Sequence, residues 1–274
     1  MPLIDPVLLK SSLGELAGRF DVDALDTCDS TSSELMRRAD AGAPSGAVIV
    51  ADRQTAGRGR RGRHWSSSPE RSLTFSVLWR FTGSPARLGG LSLAVGVALA
   101  RALETLGVHG VGLKWPNDVL LASADGAYAK LAGVLIELAS DRRGVQAVIG
   151  IGLNLGQPEE ELAQPAAGLD RAGLTELDRH GVLAAILREL ALALERFDEA
   201  GFAALRADWQ ARHVWQERPV QVLGEAGDAP LCGLCLGADA DGALLLQTAA
   251  GERRIYSGDV SLRPAESAPG AQQP

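Results

Sequence analysis

The sequence predicts an α+β chain: a mixed β-sheet body with helices packed on it, then a small antiparallel β-barrel. Two patterns carry this. Up to residue 217, β-branched and period-two runs interleave with apolar stripes at helical spacing. After Arg218-Pro219 the grammar changes. Short apolar runs are separated by Gly224, Gly227-Asp228, Asp239 to Gly242 and Gly251-Glu252. Strands with turn signals every ten or so residues suit a small barrel. The predicted boundaries are 1–217 for the body, 218–264 for the barrel, and 265–274 for a disordered tail of small residues.

The elements follow in order. A short helix is expected around Val7 to Phe20. Thr31-Ser32-Ser33-Glu34 has the form of a capping box, so a helix should begin near Ser32. Ala47 to Ala51 is a short strand leading into Asp52–Trp65. Leu73, Phe75, Val77, Trp79 and Phe81 alternate with Thr74, Ser76, Leu78 and Arg80, which predicts a strand with one buried face. Leu88 to Leu106 predicts a buried helix. Val111 to Trp115 predicts a strand that ends where Pro116 removes a backbone donor. Ser123 to Ala129 is expected to turn. Leu131 to Ala139 and Val145 to Leu155 predict a hairpin around Asp141-Arg142-Arg143-Gly144. Residues 157–178 should be loop with short helices. Leu183, Ile186, Leu187, Leu190, Leu194 and Phe197 form a helical stripe, followed by a second helix burying Phe202, Leu205 and Trp209.

Composition narrows the function. Of 274 residues 46% are hydrophobic and 22% charged, enough apolar material for a full core. The formal net charge is -7, unlike a protein that lives on nucleic acid, and no DNA partner is expected. Three cysteines make no disulfide framework and suit a reducing cytoplasm. Cys232 and Cys235 would point to opposite faces of a strand, so they are not expected to share a metal. Met1 to Lys10 lacks a basic head followed by an apolar run. The longest apolar stretch, Leu88 to Ala100, is shorter than the ~20 residues a membrane span needs. No leader and no membrane contact are expected.

Against this acidic background one stretch is strongly basic. Gly57-Arg58-Gly59-Arg60-Arg61-Gly62-Arg63 alternates glycine with arginine. Glycine lets backbone approach a ligand closely, and arginine grips phosphate or carboxylate oxygens. The pattern predicts a mobile loop that closes on a small anion. The bland alternatives are a solvated basic loop or an Arg/Gly nucleic-acid tract. Lys114 and Lys130 each adjoin strongly apolar runs, where a solvated face is not expected. Each could project from a strand end into a pocket mouth.

These segments together, Ser30-Thr31-Ser32-Ser33, the arginine loop with Trp65, Lys114-Trp115-Pro116-Asn117-Asp118 and Lys130-Leu131-Ala132-Gly133-Val134-Leu135-Ile136-Glu137, resemble those of the biotin protein ligases. The resemblance runs from about Leu25 to Arg263. The chain looks like the monofunctional form, without an N-terminal DNA-binding domain. The resemblance implies a class II synthetase-like catalytic domain and an SH3-like C-terminal barrel. It implies the joining of biotin to ATP with Mg²⁺, without a tightly bound metal, and transfer from biotinyl-5′-AMP to a lysine of biotin carboxyl carrier protein. Lys130, Arg60 and Lys114 would be catalytic. Ser30, Thr31, Ser32, Gln54, Arg58, Gly59, Arg60 and Lys130 would bind biotin. Gly57, Arg58, Arg60, Arg63, Trp65, Lys114, Asn117 and Asn154 would bind ATP. Asp118 is left as a Mg²⁺ ligand or a turn residue, and Trp115 as core. Ser32 departs from the family's usual asparagine. Exposed strand edges permit a homodimer without requiring one. A lipoate–protein ligase or octanoyltransferase of the same fold is the nearest alternative; their arginine motif differs.

Overall fold

The computed structural model describes residues 2–141, 144–158, 164–174, 178–224, 229–258 and 260–265. A seven-stranded mixed sheet is built from β1 (Asp21–Cys28), β2 (Ala47–Gln54), β3 (Ser72–Phe81), β4 (Val111–Lys114), β5 (Asp118–Ala122), β6 (Tyr128–Asp141) and β7 (Gly144–Asn154). Its spatial order is β1-β2-β3-β7-β6-β5-β4, and only the β1–β2 pair is parallel. The parallel pair needs a crossover, and α2 (Thr31–Asp40) supplies it.

One face of the sheet carries α1 (Pro6–Leu13), α3 (Leu91–Thr105) and α4 (Arg179–Ala200), which share a continuous core with Phe75, Val77, Ile149 and Ile151. The other face packs Ile49, Leu78 and Val148 against Leu35 and Ala39 of α2. This second layer corrects the expectation for β3. Both of its faces are buried, so Thr74 and Ser76 are interior rather than solvent-facing.

Other expectations shift for local reasons. The first helix stops at Gly14 and continues as a 3-10 turn to Arg19. Its start is capped by Asp5, which accepts from Val7 and Leu8. β1 and β5 were not anticipated: β1 is a half-exposed edge strand, and β5 is only five residues long. The capping box does not form. Ser30 is the N-cap residue and makes no capping bond; Thr31 is already helical. Glu34 turns instead to Arg37 and Arg38. The hairpin of β6 and β7 is present in register Ala132↔Leu153 through Asp141↔Gly144, with Arg142 and Arg143 outside the described residues. Within 157–178, a 3-10 turn covers Leu169–Ala172.

The C-terminal part is a five-stranded antiparallel sheet in the order β11-β10-β9-β8-β12. Its strands are β8 (Pro219–Leu223), β9 (Leu231–Ala238), β10 (Leu244–Thr248), β11 (Gly251–Ile255) and β12 (Ser261–Pro264). The expected tail beyond Ala265 lies outside the described residues, as does the Gly227-Asp228 turn. Cys232 is exposed and Cys235 buried on β9, as the strand period requires.

The two sheets share one core that includes Val220, Leu244, Leu246 and Leu262. Trp115 is fully buried between them and donates its indole N–H to the Gly242 carbonyl at 3.1 Å. A side chain at Gly242 would meet the Gly90 Cα at 2.3 Å, so this turn approaches the start of α3 backbone to backbone. His213, just past α5 (Arg206–Gln210), makes a second link. Its Nδ1–H donates to the Leu113 carbonyl at 3.0 Å, which leaves Nε2 to accept from the Cys235 thiol at 3.3 Å. Its ring stacks on Trp209 at 4.4 Å.

Burial pushes His213 down to about 4 from an ordinary 6.5, against the opposing Leu113 carbonyl. Between those values the unfolded chain takes up a proton that the folded chain refuses. Stability should therefore fall as pH drops from 6.5 to 4, by up to about 3 kcal/mol from this residue. Urea denaturation across pH 8 to 4 should show a shallower fall for His213→Gln than for the unsubstituted chain.

Candidate functional site

Two cavities meet under the arginine loop. The smaller, of about 50 Å³, has a floor of Gly133, Gly150 and Gly152 on β6 and β7. Its wall is Ser30, Thr31, Ser32 and Gln54, and its cover is Arg58, Gly59 and Arg60. The larger, of about 550 Å³, takes in Arg63, Lys114, Asn117, Asp118, Asn154 and Arg263. Gly59, Arg60, Trp65, Asn117 and Lys130 line both.

The glycine floor is a spatial requirement. A Cβ on Gly152 would sit 2.2 Å from the Trp65 indole, and one on Gly150 would sit 2.4 Å from the Ser32 hydroxyl. The Trp65 ring thus lies against β7 at the junction, with the Lys130 ammonium 5.7 Å from its centroid. The indole N–H is buried and has no partner among the described residues.

The arginine loop is a tight flap. Arg58 and His64 form a β-bridge, and a short 3-10 turn spans Arg60–Gly62. Arg61 adopts a left-handed conformation at φ 61°. Arg58 pairs with Glu137 at 2.7 Å. Arg60 donates to the Asn117 side chain at 2.9 Å and to the Gly258 carbonyl, between β11 and β12. Arg61 donates to the Gly224 carbonyl at 3.2 Å. The flap is therefore tied to both halves of the molecule.

Beneath it, Asp118 stands between the two lysines. Its carboxylate is 2.7 Å from Lys130 Nζ and 3.4 Å from Lys114 Nζ. It opens β5 with its side chain 11% exposed and paired, so it is neither a simple turn residue nor unengaged. Burial raises its pKa, but the charges of Lys130 and then Lys114 outweigh that and hold it below the usual carboxylate range. Burial lowers Lys114 to about 8, against the pull of Asp118. As the one carboxylate on the larger cavity's described lining, already bonded to two cations, Asp118 offers little to a resident metal. Among the described residues no cluster of three metal-ligating side chains exists.

Most expected site residues come together here. Ser30, Thr31, Ser32, Gln54 and Arg58 line the small cavity; Arg63, Trp65, Lys114, Asn117 and Asn154 line the large one. Gly57 lines neither. A Cβ there would strike the Trp65 carbonyl at 2.2 Å, so this glycine serves the closure of the flap. Asn154 spends its amide N–H groups on the Lys130 and Ala167 carbonyls and so fixes the strand segment that carries Lys130. Trp115 is core, as expected.

Sequence reasoning leaves Arg263 and Ser76 unmarked and places Glu137 outside the site, at most as a support behind it. Arg263 on β12 enters the large cavity from the second sheet, and no sequence signal separated it from an ordinary strand arginine. Glu137 holds Arg58. Ser76 bonds Thr31 and Ser32 from beneath, although its place in an alternating strand pointed it outward.

Residues 27–154 match the Biotin/lipoate A/B protein ligase family, and 217–263 match the Biotin protein ligase C terminal domain. The chain is 38% identical to the bifunctional ligase/repressor BirA of Escherichia coli K12, over 96% of this chain and 81% of that protein. It is 33% identical to the biotin–[acetyl-CoA-carboxylase] ligase of Mycobacterium tuberculosis, over 94% of this chain and 95% of that one. A biotin protein ligase from Aquifex aeolicus, solved in complex with biotin and ATP, superposes with a TM-score of 0.75 at 32% identity, covering 89% of this chain and 99% of that one.

Removing the Asp118 charge would leave two cations facing each other with their counter-ion gone. Asp118→Asn should cost about 3–5 kcal/mol of stability in urea denaturation. In a Lys114→Met background the same substitution should cost clearly less, because one of the stranded charges is gone.

Proposed function

The chain belongs to the biotin–[acetyl-CoA-carboxylase] ligase family, and we propose that its small cavity takes the biotin ring, its large cavity takes ATP, and Lys130 sits where the two substrates react. One observation carries this assignment: Lys130 lines both cavities, its ammonium held 2.7 Å from Asp118.

The reaction brings anions together. An oxygen of the biotin carboxylate bonds to the α-phosphorus of ATP, supplied as its Mg²⁺ complex, while the bond to the bridging oxygen breaks and pyrophosphate leaves. Charge builds on the phosphorane oxygens, so fixed cations at that point lower the barrier most. Lys130 provides such a cation in a low-dielectric place, with Asp118 limiting its motion before the ligands arrive. Lys114, Arg63 and Arg263 extend the positive lining along the large cavity, where the polyphosphate would lie. In the second step the amine of a carrier lysine attacks the biotinyl carbonyl, AMP departs, and the amine gives up a proton.

The small cavity opens into the large one beneath the flap and the Trp65 indole. Movement of the flap and the indole would widen the way to the glycine floor for biotin. Closure again would shelter the mixed anhydride from water. We place catalytic work in 1–217, with 218–264 contributing Arg263 and the carbonyls that hold the flap. Free thiols at Cys28, Cys232 and Cys235 suit the cytoplasm, and no helix among the described residues is long and apolar enough to cross a membrane.

The direct test is mass spectrometry of a biotin carboxyl carrier domain incubated with this protein, biotin and MgATP. A gain of one biotin is expected, and no gain with lipoate. Absence of modification under these conditions would refute the assignment. Lys130→Ala should slow biotin-dependent pyrophosphate exchange at least ~100-fold, measured at a temperature where circular dichroism shows the variant folded. The low value for Lys114 gives a further expectation. ATP affinity measured by calorimetry should weaken between pH 7 and 9.5 as this lysine loses its proton, and Lys114→Arg, charged throughout, should flatten that trend.

A further inference from the structure

Below the small cavity lies a row of hydroxyls whose proton order is determined by its end group. Gln54 Oε1 accepts from the Thr31 backbone N–H at 2.8 Å. A backbone donor facing that atom settles the amide orientation, since the opposite one would set N–H against NH₂. The Thr31 hydroxyl also contacts Gln54 Oε1, at 3.3 Å, and an amide oxygen can only accept. Thr31 is 2.8 Å from the Ser76 hydroxyl, and Ser76 is 3.0 Å from the Ser32 hydroxyl.

Each hydroxyl has one proton. Only one order makes hydrogen bonds of all three contacts. Thr31 donates to Gln54, Ser76 donates to Thr31, and Ser32 donates to Ser76. Ser76 is completely buried on the interior strand β3, paired with Gly150 in the ladder to β7. With every hydroxyl proton directed inward, Ser32 has only lone pairs left for the cavity. Gln54, with its oxygen engaged, has only its NH₂ to offer.

We propose that Ser76, which lines neither cavity, is a positioning residue that sets this polarity and so makes the small cavity complementary to a cyclic urea. Ser32 accepts from a ring N–H, and Gln54 donates to the urea oxygen. A serine in place of the family's usual asparagine is then functional in this chain, because its hydroxyl is oriented from below. The inference rests on the reading that this cavity takes the biotin ring.

The test compares biotin with its two cyclic carbamate isomers, in which one ring N–H or the other becomes O. Binding is measured by calorimetry. In the unsubstituted protein, the isomer that sets an oxygen lone pair against Ser32 should bind at least about tenfold more weakly than biotin. In Ser76→Ala the Ser32 proton is released and can rotate toward the ligand. That discrimination should then shrink several-fold, with ATP affinity unchanged. Equal discrimination in the two proteins would overturn the relay while leaving biotin binding intact. No biotin binding by the unsubstituted protein would overturn both the relay and the cavity assignment. Should Ser76→Ala fail to fold, Ser32→Ala decides on the same ligands. It removes the acceptor, so discrimination must shrink if the relay holds, and unchanged discrimination would overturn it.

Discussion

The site depends on one buried carboxylate shared by two lysines. Lys114 and Lys130 come from strands β4 and β6, which flank β5, and Asp118 opens β5 between them. Two ammonium groups this close would repel and shed protons as they lost water. The carboxylate makes their burial tolerable and limits where they can point. Catalysis of anion transfer needs cations already in place before substrate arrives, since reorganising them during reaction would forfeit the gain. The triad is thus at once a folding constraint and a store of oriented charge.

That charge is local. The molecule is acidic overall, with a formal net charge of -7, yet the large cavity gathers Arg60, Arg61, Arg63, Lys114, Lys130 and Arg263. Repulsion among them is relieved by specific acceptors rather than by bulk counter-charge. Arg60 and Arg61 are bonded to carbonyls of loops that join the strands of the second sheet, and Arg58 to Glu137 of the first. The second sheet accordingly does more than cap the core. It supplies an arginine to the cavity and acceptors to the flap, and buried Trp115 and His213 hold it in place.

The small cavity follows a different logic. It is built from neutral hydroxyls and an amide over a glycine floor. Neutral polar groups hold a neutral polar ring without the desolvation cost of burying a charge. Asp29 accepts from the Ser30 backbone N–H and is gripped by Arg37, so the turn that presents the hydroxyls is itself clamped.

Much of this was legible in the letters. The alternation of β3, the apolar run of α3, the stripe of α4 and the short strands after Pro219 each follow from local periodicity, and each is present. The arginine loop and both lysines stood out because charge beside glycine or beside apolar strands has few bland explanations. What could not be read depended on which elements stack. Ser76 seemed outward because period two reports alternation and not whether a second layer covers the other face; α2 covers it. β1 escaped notice because an edge strand with one weakly buried face carries little pattern. The entry of Arg263 and the order of the hydroxyl protons depend on residues far apart in the chain, and the seating of Asp118 between Lys114 and Lys130 depends on how three neighbouring strands pair. Sequence determines side-chain chemistry and local period, whereas which distant groups come within hydrogen-bonding reach of one another is decided only when the layers close, because hydrogen bonds are short-ranged and need their partners brought together.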